Sequence, residues 1–257
     1  MSSFGAHLVR LLLLTLLSAL ALQMYFFGRV ALMGVVDPQS TTFQRSEIYR
    51  LLRQTGQVPW SQRWVDGDLI SHHLKRAVIA SEDAGFTDHS GVEWEALEKA
   101  WERNQQAEAR AQRLNQRQDK RRSASAATPP RRIQARVVGG STITQQLAKN
   151  LFLASEQNLM RKGQEIAITF MLEALLSKER ILEIYLNNVE WGEGVFGAEA
   201  AARHYFGESA SRLSPEQAAR LAAMAPNPRF YEHHQGARGL DRKIGIILAR
   251  MPAADLP

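Results

Sequence analysis

Two hydrophobic regimes divide this 257-residue chain. From Leu11 to Phe27 it is almost wholly apolar, interrupted only by Thr15, Ser18 and Gln23. As a helix this run would span about 26 Å, slightly less than a hydrocarbon core of about 30 Å. A cleaved signal peptide is the competing reading, with Arg10 before the run and Ala19-Leu20-Ala21 as the cleavage site. Apolar residues, however, continue through Tyr25-Phe26-Phe27 and resume from Val30 to Val36. That continuation favours an uncleaved single-span anchor within residues 1–36, and the terminal position disfavours a helix of a soluble core. Arg10 lies on one side and Arg29 and Arg45 on the other, so charge does not orient the span.

From residue 37 onward the apolar positions recur at helical spacing. Ile70, Leu74, Val78 and Ile79 predict a helix that ends in Ser81-Glu82-Asp83-Ala84-Gly85, with the acidic pair at the lip of the element. Gly139-Gly140 lead into Ser141-Thr142, and Thr142 with Gln145 three residues on is a capping-box pattern, so a helix starts there. Free N–H groups at such a start suit a phosphate or pyrophosphate. Ile168, Leu172, Leu175 and Leu176 form the next stripe, with Arg161 and Glu165 one turn apart on one face. Ser177 caps a helix that carries Ile181, Leu182, Tyr185 and Leu186 inward; Asn187-Asn188 and then Gly192, Gly194 and Gly197 are expected to break it. Ser214-Pro215-Glu216-Gln217 is a further helix start, and Pro226 ends that helix. No alternating strand pattern of useful length and no internal repeat occurs. The expectation is one mainly α domain over residues 37–257.

Four motifs follow one another along that domain. They are Glu82-Asp83-x-x-Phe86-x-x-His89-x-Gly91, then Gly140-Ser141-Thr142-Ile143-Thr144-Gln145-Gln146 with Lys149-Asn150, then Arg161-Lys162-x-x-Glu165, then Lys178-x-x-Ile181-Leu182-Glu183-x-Tyr185-Leu186-Asn187. In order and rough spacing, from about Asp66 to Tyr231, they resemble the motifs of peptidoglycan glycosyltransferases. Val189 to Glu199 resembles the monofunctional members rather than the glycosyltransferase half of bifunctional penicillin-binding proteins. No Ser-x-x-Lys occurs, so no transpeptidase domain is expected. The resemblance implies a lysozyme-like fold of two helical lobes around a cleft. It also implies a bacterial inner-membrane protein with its N-terminus in the cytoplasm and its catalytic domain in the periplasm.

The implied reaction joins the disaccharide units of lipid II, whose anomeric carbon carries an α-linked pyrophosphate on a polyprenyl tail. A sugar 4-hydroxyl must lose its proton as it attacks, and the family pattern gives the base role to Glu82. The pyrophosphate needs charge neutralisation, which Lys149, Arg161 and Lys162 would supply, with the helix start near Thr142 as a helper. Attack opposite the leaving group inverts α to β. Glu165 is the second acid of the pattern: it would orient Arg161 or Lys149, hold a divalent cation or assist the leaving group. The plainer alternative for Glu165 is a surface helix pair with Arg161. Asp83 would orient Lys149 or the helix end. Ser141, Thr142, Gln145, Gln146 and Asn150 are candidates for binding sugar or phosphate. Phe86 and His89 are expected as supports, and Glu183, Tyr185 and Asn187 as parts of the fold. With no second His or Cys at ligand spacing, His89 is not expected to form a metal site. Glu93 stands where an Asp is more usual in the family.

Composition adds three constraints. Hydrophobic content of 45% is ample for a core, and the absence of cysteine excludes a disulfide framework. The net charge of +6 is concentrated: residues 103–136 hold ten Lys or Arg against Glu108 and Asp119, a local +8, leaving −2 for the rest. Within this insertion, Gln105 to Arg122 reads as a frayed polar helix and Ser123 to Pro130 as a loop, longer than the link family members usually have. A solvated insertion is the simpler reading. Its rival is contact with anionic headgroups or the lipid-linked substrate, at about 1 kcal/mol per basic residue near the surface. Nucleic acid is disfavoured, because the segment has no aromatic residue for stacking.

The expected partners are therefore lipid II, the growing glycan chain and membrane lipid, with cell-wall synthesis or division proteins as candidates. No organic cofactor is expected; a divalent cation is left open. Two other classes compete. A lysozyme-like lytic enzyme could share the fold, since fold does not fix chemistry. A non-catalytic, membrane-tethered scaffold is disfavoured because both Glu82 and Glu165 are present.

Overall fold

The computed structural model describes residues 3–121, 132–134, 139–153, 158–237 and 239–257. Helix α1 (Ser3–Leu32) is followed by α2 (Thr42–Thr55), strand β1 (Ser61–Gln62), α3 (His72–Glu82), α4 (Trp94–Arg121) and α5 (Ile143–Phe152). Then come α6 (Leu159–Leu175), α7 (Lys178–Asn188), β2 (Glu190–Gly192), β3 (Val195–Phe196) and α8 (Ala198–Phe206). Helices α9 (Pro215–Met224), α10 (Pro228–His233) and α11 (Leu240–Arg250) complete the order. The predicted starts at Thr142, Ser177 and Ser214 are all N-caps whose side chains accept a backbone N–H, and Thr142 and Ser214 form full capping boxes. A further box, Thr41 with Gln44, starts α2.

Helix α1 has two characters. Over Phe4–Leu32 it is long and apolar enough to cross a membrane, and its most apolar window is only 6% buried. Towards its C-terminal end it instead joins the core: Phe26, Val30 and the following Met33 are buried, and Phe26 packs edge-on against Phe152 at 5.4 Å. Gln23, the polar interruption nearest the domain, exchanges two hydrogen bonds with Gln164 of α6, at 2.8 and 3.1 Å. The pair satisfies both amides where water is scarce. The anchor is thus fastened to the helix that carries Arg161, Lys162 and Glu165.

The remaining helices pack as two groups. Helices α3, α9 and α11 contact one another; α5 packs on α2, α6 and α7, and α7 also meets α8. Ile181, Leu182, Ile184 and Leu186 of α7 are all buried in this core.

The mainly α reading holds, and a small sheet in the order β1-β3-β2 accompanies the helices. Ser61 and Gln62 pair in parallel with Val195 and Phe196, and β2 pairs antiparallel with β3. Strands of two or three residues, buried throughout β2 and β3, offer no alternation to read. Gly194 makes the turn between them at φ +75°, and a Cβ there would lie 1.8 Å from the Pro59 oxygen.

Asn187 and Asn188 end α7 as expected, and both are fully buried. Asn187 accepts from the Val65 N–H and donates to the Val65 carbonyl, while Asn188 donates to Ile184 and accepts from Gln44. Finally, the expected frayed helix is a continuous 28-residue α4. Gly140 lies so close beneath it that a Cβ would meet Ala100 at 2.9 Å, and Asn115 exchanges hydrogen bonds with the Ile133 backbone. The predicted loop from Ser123 to Pro130 lies outside the described residues.

Gln23→Leu should lower stability by about 1 kcal/mol by leaving the Gln164 amide without its partner. Thermal unfolding in detergent measures this. The double variant Gln23→Leu/Gln164→Leu should recover most of the loss; a double variant worse than the single would contradict the pairing.

Candidate active site

Helix α3 delivers Glu82 and Asp83 together, and the two carboxylates point to different tasks. Asp83 is not at an exposed lip; it is 4% exposed. Its Oδ2 accepts the Ile143 N–H of α5 at 2.9 Å, and its Oδ1 lies 2.8 Å from His89 Nε2. His89 Nδ1 accepts the Gly91 N–H at 3.1 Å, so Nε2 is the nitrogen that donates to Asp83. Lys178 holds the His89 carbonyl at 2.7 Å and stacks 4.6 Å above the buried Phe86 ring. Of the two roles expected for Asp83, the structure forms the contact with the helix end and no bond to Lys149.

The same geometry corrects the idea that the α5 start receives a pyrophosphate. Ile143 N–H already has the Asp83 carboxylate and Gln145 N–H has the Thr142 hydroxyl. Thr142 and Gln145, expected to touch sugar or phosphate, are 3% and 2% exposed. Thr142 Oγ1 also donates to the Gly91 carbonyl at 2.6 Å, and Gln145 Oε1 accepts the Thr142 N–H. Their polar oxygens are spent on the cap.

Glu82 is only half-buried. Its Oε2 accepts from Gln146 Nε2 at 3.0 Å, and its Oε1 from Ser81 at 3.3 Å. Gln146 Oε1 in turn accepts the Tyr185 hydroxyl at 3.0 Å. Burial, reinforced by the negative charge of Glu82 and Asp83, pushes the Tyr185 phenol well above its usual value, so it stays protonated and donates. That donation sets the Gln146 amide with its NH₂ towards Glu82. Tyr185, expected as fold support, therefore also orients the site; no sequence spacing signals this.

Two cavities flank the Glu82–Gln146 contact. One, of about 210 Å³, is lined by Glu82, Asp83, Glu93, Gly140, Ser141 and Thr142, together with Lys99 and Arg103 of α4. The other, of about 380 Å³, is lined by Gln146, Lys149, Asn150, Arg161 and Glu190 among others. Sequence reasoning missed Lys99 as a cavity residue and counted Arg103 only as insertion charge. It missed Glu190 as well, which Arg229 grips at 2.8 and 3.0 Å and whose carboxyl burial pushes above the usual range.

The second cavity is strongly cationic. Asn158 caps α6 through the Arg161 N–H. Glu165 then accepts from Arg161 at 3.0 Å and from Lys162 at 2.5 Å. Glu165 is 3% exposed, so this is not the surface pair that spacing alone allowed. Lys149 makes no ion pair among the described residues. Burial of its ammonium lowers its pKa; Glu165 opposes that, while Arg161 and Lys162 reinforce it. Among the described residues, three cations thus share one carboxylate, and the Arg161 Nε is buried without a partner.

Asp83, His89 and Glu93 also bring ligand-type atoms within 4.8 Å of one another, a grouping that the sequence reading did not anticipate. Both oxygens of Asp83 and both ring nitrogens of His89 are engaged as described above. A cation there would have to displace the Asp83–His89 bond.

The model of the Transglycosylase family matches residues 49–113 and 118–252. The chain therefore belongs to that family, and its domain is lysozyme-like and mainly α. It is similar to a biosynthetic peptidoglycan transglycosylase of Herminiimonas arsenicoxydans, 49% identical over 96% of either chain. Proteins of the same description from Dechloromonas aromatica and Bordetella avium are 50% and 48% identical, across 97% and 98% of this chain and 97% and 95% of theirs.

Asp83→Asn should cost about 1–3 kcal/mol, because an amide cannot accept from both the Ile143 N–H and His89; chemical denaturation measures it, and unchanged stability would refute the clamp. For Lys149 the sign is opposite. Its folded pKa lies below the ordinary 10.5, so between the two values the unfolded chain binds more protons and stability rises with pH. Lys149→Met should therefore melt above the wild type at pH 7, with the gap closing as the pH approaches 10.5.

Proposed function

We propose that this protein polymerises lipid II into β-1,4 glycan strands, releasing polyprenyl pyrophosphate. Lys149, Arg161 and Lys162, with Glu165 as their one carboxylate among the described residues and a cavity beginning at Gln146 beside them, support this reading most directly. Such an excess of cations suits a diphosphate leaving group. Glu82 abuts that cavity through Gln146, with one face open to the other cavity, where an acceptor sugar would lie. In the reaction, the acceptor O4 bonds to the donor C1 as the C1–pyrophosphate bond breaks, and the O4 proton passes to the Glu82 carboxylate. Glu82 is the base; Gln146 orients it; Lys149, Arg161 and Lys162 take up the developing charge. Glu165 spaces and orients Arg161 and Lys162, and Asn150 and Ser141 are the polar residues left to contact sugar or phosphate. Asp83, His89, Phe86, Thr142 and Gln145 hold these groups in place. A divalent cation would find its ligand types at Asp83, His89 and Glu93, and no step above requires one.

The exposed apolar helix α1 supports a single membrane anchor. The full assignment is a protein of the bacterial inner membrane with residues 37–257 in the periplasm, working beside other wall-synthesis or division proteins.

Purified protein incubated with lipid II should yield glycan polymer, and preformed glycan should stay intact. Glu82→Gln should slow polymerisation by about 10²–10⁴-fold with melting temperature and membrane association unchanged. Wild-type turnover in that variant would remove Glu82 as the base; cleavage of preformed glycan would favour the lytic reading.

A further inference from the structure

We infer that the cavity at the domain-side end of α1 binds the phosphate of an anionic phospholipid headgroup. The cavity, of about 350 Å³, is lined by Arg29, Met33, Val36, Asp37, Pro38 and Arg45 among others and shares no residue with the two cavities beside Glu82. The inference rests on α1 as a membrane anchor, since it is that helix which brings Arg29, in its last turn, to headgroup depth.

Charge balance is the first argument. Arg29 donates to the Tyr25 hydroxyl at 2.9 Å and lies over the Tyr25 and Phe152 rings at 5.8 and 5.9 Å. Arg45 donates to Ser40 Oγ at 3.1 Å and Thr42 Oγ1 at 3.0 Å. All these partners are neutral, and neither guanidinium has a carboxylate partner among the described residues. Asp37 is the one acid among the described residues of the cavity wall, and its Oδ1 is held by Arg180 at 2.7 Å. Arg180 also donates to the Met33 carbonyl at 2.9 Å and pairs with Glu183. Asp37 is thereby turned to a cation of its own, and two arginines remain for an anion. Guanidinium groups suit phosphate oxygens because they donate in pairs in one plane.

The rim is the second argument, and it separates a lipid from a free anion. Leu32 and Val36, which line the cavity, are 52% and 50% exposed, and Val35, between them in the chain just past α1, is 84% exposed. In water these side chains gain nothing; against acyl chains they are solvated. Tyr25, one turn before Arg29, has the amphipathic ring favoured at a membrane interface. Cations at phosphate level with apolar residues at the rim match a phosphodiester that carries acyl chains.

The full chain in mild detergent would be titrated with dioleoylphosphatidylglycerol, dioleoylphosphatidylcholine or inorganic phosphate, with bound lipid counted by native mass spectrometry and melting followed in parallel. Phosphatidylglycerol should bind and raise the melting temperature, and phosphatidylcholine should bind at least tenfold more weakly. Arg29→Gln/Arg45→Gln should weaken phosphatidylglycerol binding by roughly tenfold to thirtyfold, with Arg29→Lys/Arg45→Lys intermediate. Arg45→Gln alone, at an exposed position, should still weaken it severalfold and serves if the double variant unfolds. Equal binding of phosphatidylglycerol by wild type and variant would overturn the inference, as would equal binding of the two lipids. Protection by inorganic phosphate equal to that by phosphatidylglycerol would make this a free-anion site and also overturn it. Failure of the wild type to partition into phosphatidylcholine vesicles would strike the anchor reading itself. Loss of lipid II polymerisation in the wild type would strike the proposed function and leave the lipid count untouched.

Discussion

The buried carboxylate of Asp83 is the constraint on which the rest of the site hangs. A charge removed from water survives only if hydrogen bonds replace the lost hydration, and Asp83 finds them on two other segments: the first N–H of α5 and the His89 ring. Satisfying that one group sets the end of α3 against the start of α5. Glu82, the next residue back, is then brought within 3.0 Å of Gln146 on α5's first turns. His89 in turn fixes Gly91, whose carbonyl receives the Thr142 hydroxyl. The docking of the α5 start, the turn after α3 and the position of the half-buried Glu82 all depend on one ion placed in a dry position.

The cationic cavity obeys the opposite logic. Among the described residues Lys149, Arg161 and Lys162 have one carboxylate between them, and burial of the Lys149 ammonium, with Arg161 and Lys162 adding to it, lowers its pKa. Such an arrangement does not favour the folded chain by itself; an incoming anion relieves it. Asp83 stabilises, whereas the cluster is poised. This division matches the general pattern in which perturbed groups gather where ligands bind.

The anchor belongs to the folded domain rather than hanging from it. Phe26, Val30 and Met33 complete the core, and the Gln23–Gln164 pair fastens α1 to the helix of Arg161, Lys162 and Glu165. Under the proposed function, a membrane span docked this way would hold the cationic cavity at a set height above the lipid surface, where a substrate with a polyprenyl tail would present its pyrophosphate.

Local signals were legible wherever a few neighbouring residues decide the outcome. The caps at Thr142, Ser177 and Ser214, the apolar stripes of α6 and α7 and the anchor all follow from side-chain volume, periodicity and the unpaired N–H groups of a helix start. The motif order carried the candidate chemistry with them. What the sequence could not decide was which polar atoms are already spent. Thr142 and Gln145 read as ligand contacts because their types suit it, yet Gly91 and the cap itself consume their oxygens, while Ile143 and His89 consume those of Asp83. Asn187 and Asn188 read only as a helix end, yet Val65 and Gln44 satisfy them within the core. Tyr185, Glu190 and Lys99 entered the site unannounced, and two- and three-residue strands left no period to detect. In most of these cases the deciding term is a hydrogen bond or ion pair between residues far apart in the chain. Its energy depends on burial and distance, and those exist only once the helices have packed.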